Sequence, residues 1–481
     1  MSWTCRITQG DYESLHAHLH RPDGDEHAAF LYAGVRTTSK SSELLIRRVV
    51  PVADHDFGPS DRGGYRQISA RALTRAAVEC EAEGLTLVWA HSHPLAARHV
   101  GFSQPDQATH ERAHPHMIDM TGGKPVASLV LGTESVAGEI WMPNGAVKVL
   151  DHLDVVGARM ARLTASPLAS GRAAARFARQ MLMFGAAGQE ALKGMKVAVI
   201  GAGGGGSLLV QSLAHLGVGQ IVVLDFDRVS VSNLSRIVGA VPRDARRGNL
   251  KVAVMQRLVE AIDPDIAVTA IAGDVTYAAD AEHILDSDFI FSATDTQFAR
   301  FAVNAICHQF LIPGAQVGAK VVTNDEGDVQ LAYAMNRPLD LDGPCLECGG
   351  ALDLDALRLE QVSDDERHAQ QYMEGGESPI SDPSVITLNS VAAALAMLDF
   401  QFAVTGMYPK GIRLGQRVYY APERALRERN AKQRMGCRWC DRNSASSVFG
   451  RGVNSQLPLR LGPPPRPAPR GLIEQIRSWR M

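Results

Sequence analysis

The sequence has little net charge, few cysteines and no long apolar segment. Its 49 Lys and Arg residues against 52 Asp and Glu residues give a net charge of −3, which offers no electrostatic basis for nucleic acid as a main partner. Seven cysteines in 481 residues do not make a disulfide framework. No run of ~18 apolar residues is present, and the N-terminal MSWTCRITQGDYE lacks the basic-then-apolar order of a signal peptide. We therefore expect a cytoplasmic protein that binds neither nucleic acid nor a membrane.

The remaining composition is that of a soluble globular enzyme, with 45% hydrophobic and 21% charged residues. At about 150 residues per domain, a chain of 481 residues predicts roughly two to four domains. Residues 456–470, QLPLRLGPPPRPAPR, cannot form a helix or a sheet. We predict a first domain, a helical linker, a second domain and a Pro/Arg-rich tail, at residues 1–152, 153–175, 176–445 and 446–481.

Periodicity predicts an α/β fold in both halves. The first half has an Ala- and Arg-rich helix at 69–83. It also has apolar, strand-like runs at 85–89, 125–131 and 138–142. From Lys196 the order is strand (KVAVIG), glycine turn and helix (GGSLLVQSLAHLG), and strand (QIVVLDFD), which opens a parallel α/β sheet. Further buried strands are predicted at 266–270 and 289–292.

A candidate metal site begins at His91-Ser-His93-Pro and continues with Ser103 and Asp106. A zinc hydrolase needs three protein ligands and one open position for water. His91 and His93 are two residues apart at the end of a strand, so both side chains can point the same way, and Asp106 would be the third ligand. An isolated H-x-H would indicate surface histidines, but the added S-x-x-D favours a metal site.

This combination resembles the JAB/JAMM metalloprotease family, whose motif is H-x-H-P, a short spacer and S-x-x-D. The resemblance implies a JAB/MPN-type α/β domain with a catalytic zinc on His91, His93 and Asp106. It also implies that Glu26 is the general base for the attacking water and that Ser103 donates a hydrogen bond to the developing oxyanion. The spacer from Pro94 to Ser103 holds eight residues, slightly more than we expect for the family.

A candidate nucleotide site begins at Gly201-Ala-Gly-Gly-Gly-Gly206, which brings backbone N–H groups and a helix N-terminus to a phosphate. A generic dinucleotide-binding fold, with Asp225 on a ribose, is the alternative for this turn. No G-K-[ST] follows, so a P-loop is excluded. Arg236, Lys251 and Asp295 favour adenylation instead, because cations neutralise pyrophosphate and a carboxylate binds Mg²⁺. A nicotinamide enzyme needs none of the three.

From Arg176 to about Cys440 the chain resembles the ThiF/MoeB family, relatives of the ubiquitin-activating enzymes. The resemblance implies a Rossmann-like domain with a mostly parallel sheet, ATP and Mg²⁺ as cofactors, and Mg²⁺ on Asp295. Arg179 would enter the partner subunit's site, which implies a homodimer. The residues implied to bind ATP are Gly201, Gly203, Gly204, Gly206, Asp225, Asp227, Asn233, Arg236, Lys251 and Asp295.

Two C-x-x-C pairs, Cys345/Cys348 and Cys437/Cys440, predict a closed, structural zinc site of four thiolates. Either pair alone could be a redox motif. ThiF/MoeB relatives have a zinc at the same place, and those that form a thioester carry a cysteine between the pairs. Residues 349–436 contain no cysteine, and Cys307 lies in an apolar, helix-like stretch. A thioester on this chain is therefore not expected.

Both resembled families act on the C-terminal tail of ubiquitin-like proteins, and bacterial ubiquitin-like modification systems, including antiphage ones, contain such fusions. The expected function is adenylation of the C-terminal Gly of a small protein ending in Gly-Gly, together with zinc-dependent processing or deconjugation of that protein. A conjugating-enzyme-like protein is a further expected partner. The alternatives are a sulfur-carrier activating enzyme for cofactor or cysteine synthesis, and a non-catalytic scaffold that binds a ubiquitin-like protein.

Overall fold

The computed structural model describes residues 2–38, 41–58, 66–167, 175–324, 326–361 and 383–464. The chain divides into two compact units. Unit 1 comprises residues 1–171, 308–311 and 435–456, and unit 2 comprises residues 172–307, 312–434 and 457–481. The fold is α/β throughout, as predicted.

Unit 1 is an eight-stranded sheet with helices on both of its faces. The sheet order is β1-β3-β2-β4-β5-β6-β7-β8, and a further parallel pairing of β1 with β7 closes the sheet on itself, like a barrel. The strands are β1 Ser2–Thr8, β2 Ala28–Thr37, β3 Ser41–Pro51, β4 Thr86–Ser92, β5 Val126–Leu131, β6 Val136–Trp141, β7 Val147–Val156 and β8 Ala161–Leu163. The helices are α1 Gln9–Leu19, α2 Ala70–Ala82 and α3 Gln104–Met120.

Alternation along the strands of unit 1 produces two apolar cores, because successive side chains point to opposite faces. In β2, Ala29 and Leu31 join the core that α1 covers with Leu15, while Phe30 and Tyr32 join the core that includes Ala76 and Ala77 of α2 and Met117 of α3. The predictions for helix 69–83 and for the strands at 85–89, 125–131 and 138–142 are confirmed, with shifts of a few residues at their ends.

Two predicted regions differ from the structure. The segment 153–175 is predicted to be a helical linker, but it continues β7 to Val156 and forms β8. The helical assignment is therefore wrong for those strands, and residues 168–174 lie outside the described residues.

The tail predicted from residue 446 begins too early, since residues 446–456 are packed within unit 1. A Cβ on Gly34 of β2 would lie 2.2 Å from the Gly450 carbonyl oxygen, so this part of the predicted tail packs closely on β2. The two glycines are far apart in the sequence, and local patterns could not predict their contact. Residues 465–481 lie outside the described residues.

Unit 2 contains a second eight-stranded sheet, ordered β11-β10-β9-β12-β13-β14-β15-β16. The strands β9 to β13 pair in parallel, and β13 to β16 pair antiparallel. The strands are β9 Lys196–Ile200, β10 Gln220–Leu224, β11 Ala267–Ile271, β12 Phe289–Ser292, β13 Gly314–Thr323, β14 Val329–Leu339, β15 Gln416–Tyr420 and β16 Ala425–Arg429. The helices are α4 Ala178–Lys193, α5 Gly204–Leu216, α6 Pro242–Arg247, α7 Lys251–Ile262, α8 Ala278–Ala281, α9 Gln297–Gln309, α10 Leu354–Gln361 and α11 Ile386–Val404.

The parallel half of this sheet confirms the predicted strand–glycine turn–helix–strand order and the presence of strands near 266–270 and 289–292. The strand Phe289–Ser292 is buried as predicted, whereas Ala267–Ile271 is the edge strand of the sheet and only its last residue is buried, so the prediction of a buried strand is wrong there. Helix α11 is long and apolar enough to cross a membrane by length and composition, but half of its apolar window is buried in unit 2. Its Asp399 accepts a 2.5 Å hydrogen bond from Asn336 Nδ2 and forms an ion pair with Arg417. Such buried polar partners are those of a core helix.

Candidate functional sites

The metal site predicted from H-x-H-P and S-x-x-D forms a cluster within unit 1. His91 is the penultimate residue of β4, and His93 follows the strand. Their Nε2 atoms lie 3.4 Å and 3.3 Å from the two carboxylate oxygens of Asp106. One ligand atom from each residue lies within 4.8 Å of the other two. The structure therefore brings together the three residues that the sequence selected.

The helix α3 fixes the carboxylate of this cluster. Ser103 is its N-cap, with its hydroxyl accepting from the Asp106 N–H at 3.3 Å, and Asp106 Oδ2 accepts from the Ser103 N–H and Oγ at 2.7 Å each. This capping box is what S-x-x-D encodes locally, because a short acceptor three residues before an acid satisfies two free helix N–H groups. In this structure the Ser103 hydroxyl thus donates its hydrogen bond to Asp106.

The donor set fits a zinc ion. His91 is buried, and its Nε2 atom has no hydrogen-bond partner at normal distance among the described residues, although it faces the Asp106 carboxylate. Burial lowers the pKa of His91 and favours the neutral imidazole that binds a metal. Two imidazoles and one carboxylate are a catalytic zinc set, which leaves a fourth position open.

Glu26 lies beside the cluster, in the loop between α1 and β2. It lines one cavity with His91, Asp106 and Trp89. Burial raises the pKa of the Glu26 carboxyl to about 7, against an opposing effect of the nearby His93. A carboxyl with a pKa near neutrality can accept and return a proton at physiological pH, which is the requirement for a general base.

The loop that carries Glu26 is tied to the metal-binding loop by Ser92. The Ser92 Oγ accepts from the His27 N–H at 3.0 Å, and the Ser92 N–H donates to the His27 carbonyl at 3.0 Å. In the sheet, His91 pairs with Ala28 of β2. These bonds fix Glu26 relative to His91 and His93. Sequence reasoning missed the role of Ser92, whose only signal was its place between the two histidines.

The glycine turn of unit 2 is compact because side chains cannot fit in it. A Cβ on Gly206 would lie 1.8 Å from the Gly201 carbonyl oxygen, and Gly201 has φ +91°. A Cβ on Gly204 would lie 2.4 Å from Asn389 Nδ2 of α11. Gly203 is the N-cap of α5 and has open space at its Cβ position. The turn thus places the backbone close to the N-terminus of α5, and a helix N-terminus with such a glycine turn is the arrangement that binds phosphate.

Asp225 and Asp227 follow β10, and Asp225 bonds to the glycine turn. Asp225 accepts from the N–H groups of Ala202 and Asp227 at 2.7 Å each. Burial raises the pKa of the Asp225 carboxyl, and the charge of Lys251 counteracts this effect. The Lys251 Nζ lies 2.6 Å from Asp227 Oδ2, so the pair holds a cation at the start of α7.

The remaining predicted site residues lie on the segments that connect the strands and, for Arg179, on α4. Asn233 is buried, and its Oδ1 accepts from the Ser230 N–H at 3.1 Å. Arg236 donates to the Ser232 carbonyl at 2.9 Å, and its Cδ would be 3.4 Å from a Cβ on Gly204. Asp295 is exposed after β12, and Arg179 is exposed on α4. The structure thus brings Arg236 to the glycine turn, and Asn389 is a neighbour of that turn for which the sequence gave no signal.

The two cysteine pairs are each in a turn of their own unit. In unit 2, the Cys345 Sγ accepts from the Cys348 N–H at 3.4 Å, and the Cys348 Sγ accepts from the Arg434 N–H at 3.4 Å. Backbone N–H groups that point at sulfur stabilise a thiolate. In unit 1, Cys437 and Cys440 are both buried.

Comparison with known proteins identifies the class of the second half of the chain. Residues 177–435 match the ThiF family model, which covers more than half of the chain. The chain therefore belongs to the ThiF family.

Three relatives show the range of the similarity. A molybdopterin-synthase adenylyltransferase of Salmonella typhimurium is 36% identical over 34% of this chain and 65% of its own length. A SAMP-activating enzyme E1 of Haloferax volcanii is 32% identical over 36% of this chain and 60% of its own. A sulfur carrier protein ThiS adenylyltransferase of Bacillus subtilis is 30% identical over 39% of this chain and 59% of its own. The matched part spans less than two thirds of each of these relatives.

Proposed function

We propose that unit 2 adenylates the C-terminal carboxylate of a small ubiquitin-like or sulfur carrier protein, using ATP. The observation that carries the proposal is the glycine turn at the N-terminus of α5, with Asp225, Lys251 and Arg236 around it, in a chain of the ThiF family.

The proposed reaction needs binding and charge neutralisation more than acid–base chemistry. A carboxylate oxygen attacks the α-phosphorus of ATP, the bond to the β-phosphate breaks, and pyrophosphate leaves without a net change in protons. The N–H groups of the glycine turn would bind phosphate and Asp225 the ribose. Arg236 and Lys251 would stabilise the charge that develops on pyrophosphate, and Asp295 would hold Mg²⁺.

The relatives favour a sulfur carrier as substrate over a conjugated ubiquitin-like protein. Two of the three carry molybdopterin synthase or a sulfur carrier protein in their names. The lack of a cysteine at 349–436 agrees with this choice, since an acyl adenylate that meets sulfide needs no thioester on the activating chain. The similarity to a SAMP-activating enzyme E1 makes activation of a ubiquitin-like protein for conjugation the second candidate function.

The test of adenylation is exchange of labelled pyrophosphate into ATP that depends on the carrier protein. The carrier can be captured from native lysate on the Glu26→Ala protein and identified by intact mass. Asp295→Ala should abolish exchange and Asp353→Ala, an exposed acid preceding α10, should not. Exchange that is undiminished in Asp295→Ala would reject the assignment of Asp295.

For unit 1 we propose zinc-dependent hydrolysis of an amide bond at the C-terminus of the same small protein, as in the JAB/JAMM family. The observation that supports it is the His91, His93 and Asp106 cluster with Glu26 in the adjoining cavity. A zinc ion there would polarise the scissile carbonyl and lower the pKa of a bound water. Glu26 would take the proton from the attacking water and pass it to the leaving amine. Ser103 would keep Asp106 in place and, on releasing it, donate to the oxyanion.

We further propose that Arg179 completes the ATP site of the partner in a homodimer.

We also propose that one structural zinc is held by Cys345, Cys348, Cys437 and Cys440. Four thiolates make a closed site whose binding free energy is folding free energy. Metal analysis should give two zinc ions per chain. Chelation should remove the histidine-bound ion first, and the second only with loss of structure. A total of one zinc ion per intact chain would contradict the proposal.

A further inference from the structure

Two arginines of unit 2 are half-buried with few hydrogen-bond partners. Arg300 lies on α9 and Arg337 on β14, and a guanidinium has five N–H groups to place. Arg300 Nη2 donates to the Thr294 carbonyl at 3.4 Å, and Arg337 Nη1 donates to Gln316 Oε1 at 2.8 Å. Both Nε atoms are buried without an acceptor in the described part of the chain. Each guanidinium therefore has unused donors.

The register of the sheet places Arg337 near the end of β12, and Arg300 lies on the helix that follows Asp295. Ser292, the last residue of β12, pairs with Gln316 of β13, and Gln316 pairs with Arg337 of β14. Neighbouring strands are about 4.8 Å apart, so Arg337 is two strand spacings from the end of β12. Asp295 follows that end by three residues, and Arg300 lies about one helical turn further on. The two cations and Asp295 thus share one region.

The charges in this region are unbalanced. Burial, together with the positive charges of Arg300 and Arg429, lowers the pKa of Arg337 to about 10. The acids that act on Arg300 are Asp295 and Glu360. Glu360 already accepts the N–H groups of Gln297 and Phe298, at 2.9 Å and 2.7 Å. Neither arginine forms an ion pair with a described carboxylate. Leaving a buried cation unpaired is costly, so an anion that arrives from outside would be bound favourably.

We propose that Arg300 and Arg337 form a carboxylate-binding site that receives the C-terminus of the protein substrate beside Asp295. This inference rests on the proposed adenylation. Planar guanidinium groups bind a carboxylate with two parallel hydrogen bonds, which would orient its oxygens for attack. The buried Gln316 keeps Arg337 in place and leaves its remaining donors for the ligand. Pyrophosphate is the other source of anionic oxygens, but Lys251 and Arg236 already supply cations at the glycine turn.

The experiment uses the full-length protein and three probes, namely a synthetic pentapeptide that ends in Gly-Gly with a free carboxylate, the same peptide as a C-terminal amide, and sodium pyrophosphate. Calorimetry should show binding of the free acid and at least tenfold weaker binding of the amide. Arg337→Gln and Arg300→Gln should each weaken binding of the free acid at least tenfold and leave pyrophosphate unchanged. Arg358→Gln, an exposed arginine paired with Asp355, is the matched control and should behave as wild type.

Equal binding of acid and amide, no binding of the acid at millimolar concentration, or an unchanged Arg337→Gln protein would overturn the inference. A loss confined to pyrophosphate would make this a phosphate site and overturn it as well. If Arg337→Gln does not fold, Arg337→Lys keeps the charge without the two-donor fork and should still weaken the acid. Carboxylate-dependent binding without any pyrophosphate exchange would reject adenylation and support the carboxylate-binding site. Pyrophosphate exchange with a normal KM for the carrier in both variants would support adenylation and reject the carboxylate-binding site.

Discussion

The histidine–aspartate cluster of unit 1 and the nucleotide site of unit 2 differ in how their residues are positioned. In the cluster, His91, His93 and Asp106 come from one strand end and the first turn of the next helix, and Ser103 fixes Asp106 by a local capping box. The nucleotide site collects residues from a glycine turn, the loop after β10, the starts of two helices and the end of β12. A cluster of metal-binding residue types can thus be encoded in a short segment, whereas a nucleotide site needs the sheet to bring distant loops together.

The sharpest test of this comparison removes the proton acceptor of the cluster. Glu26→Gln should lower cleavage of a tail-extended carrier precursor by about 10²–10⁴-fold, because the attacking water loses its base. Activation of the mature carrier should be unchanged. Product is measured by intact mass, with Glu111→Gln, an exposed acid of α3, as the control. If folded Glu26→Gln protein also failed to adenylate the mature carrier, the two sites could not be independent.

The reverse variant tests the nucleotide site. Lys251→Ala removes the cation that Asp227 holds at the start of α7, and should reduce carrier-dependent pyrophosphate exchange by about 10²–10³-fold. Cleavage by unit 1 should stay at the wild-type rate. Lys148→Ala, an exposed lysine on β7, should affect neither reaction. A comparable fall in both activities would point to a shared conformational change instead of a local loss of charge.

Two glycines of the same turn should separate packing from binding. Gly206→Ala places a methyl group 1.8 Å from the Gly201 carbonyl oxygen, and overpacking of this kind typically costs about 1–3 kcal/mol. Gly203→Ala meets no atom within 4 Å and should leave the melting temperature unchanged while weakening ATP binding. Thermal unfolding and ATP titration distinguish the two. Equal melting temperatures for both variants would contradict the steric explanation.

The last expected effect is a pH dependence of the stability of unit 1. His114 is fully buried, its Nε2 bonds to Ser128 Oγ at 2.8 Å, and burial lowers its pKa to about 4. Between about pH 6.5 and pH 4 the unfolded chain binds more protons than the folded one, so stability is lost as pH falls through this range. A shift of this size is worth roughly 3 to 3.5 kcal/mol once it is fully expressed below pH 4.

Urea unfolding at pH 7 and pH 5, followed by tryptophan fluorescence, checks this expectation. His114→Gln should flatten the dependence, because the amide does not titrate. His99→Gln, an exposed histidine, should leave the slope as it is. A His114→Gln protein with the wild-type slope would assign the pH dependence to other groups.

Local patterns predicted much of the fold and of the cluster. The helix at Ala70–Ala82 and the strands at Val126–Leu131 and Phe289–Ser292 appear where apolar periodicity indicated them. The prediction of a helical linker is wrong because Leu153, Val155 and Val156 form a strand that pairs with β1, about 150 residues earlier in the chain. The Ala- and Arg-rich composition around them favours a helix only in the absence of such a partner.

The sequence by itself determined the types of donor at each site and the family to which the chain belongs, since ligand chemistry and glycine spacing are local properties. Only the tertiary structure decided which residues surround those donors. Asn389 reaches Gly204, Gly450 packs on Gly34, and Gln316 aligns Arg337 with the end of β12. The physical reason is that sheet register and close backbone packing join residues by distance in space, which hydrophobic periodicity along the chain does not record.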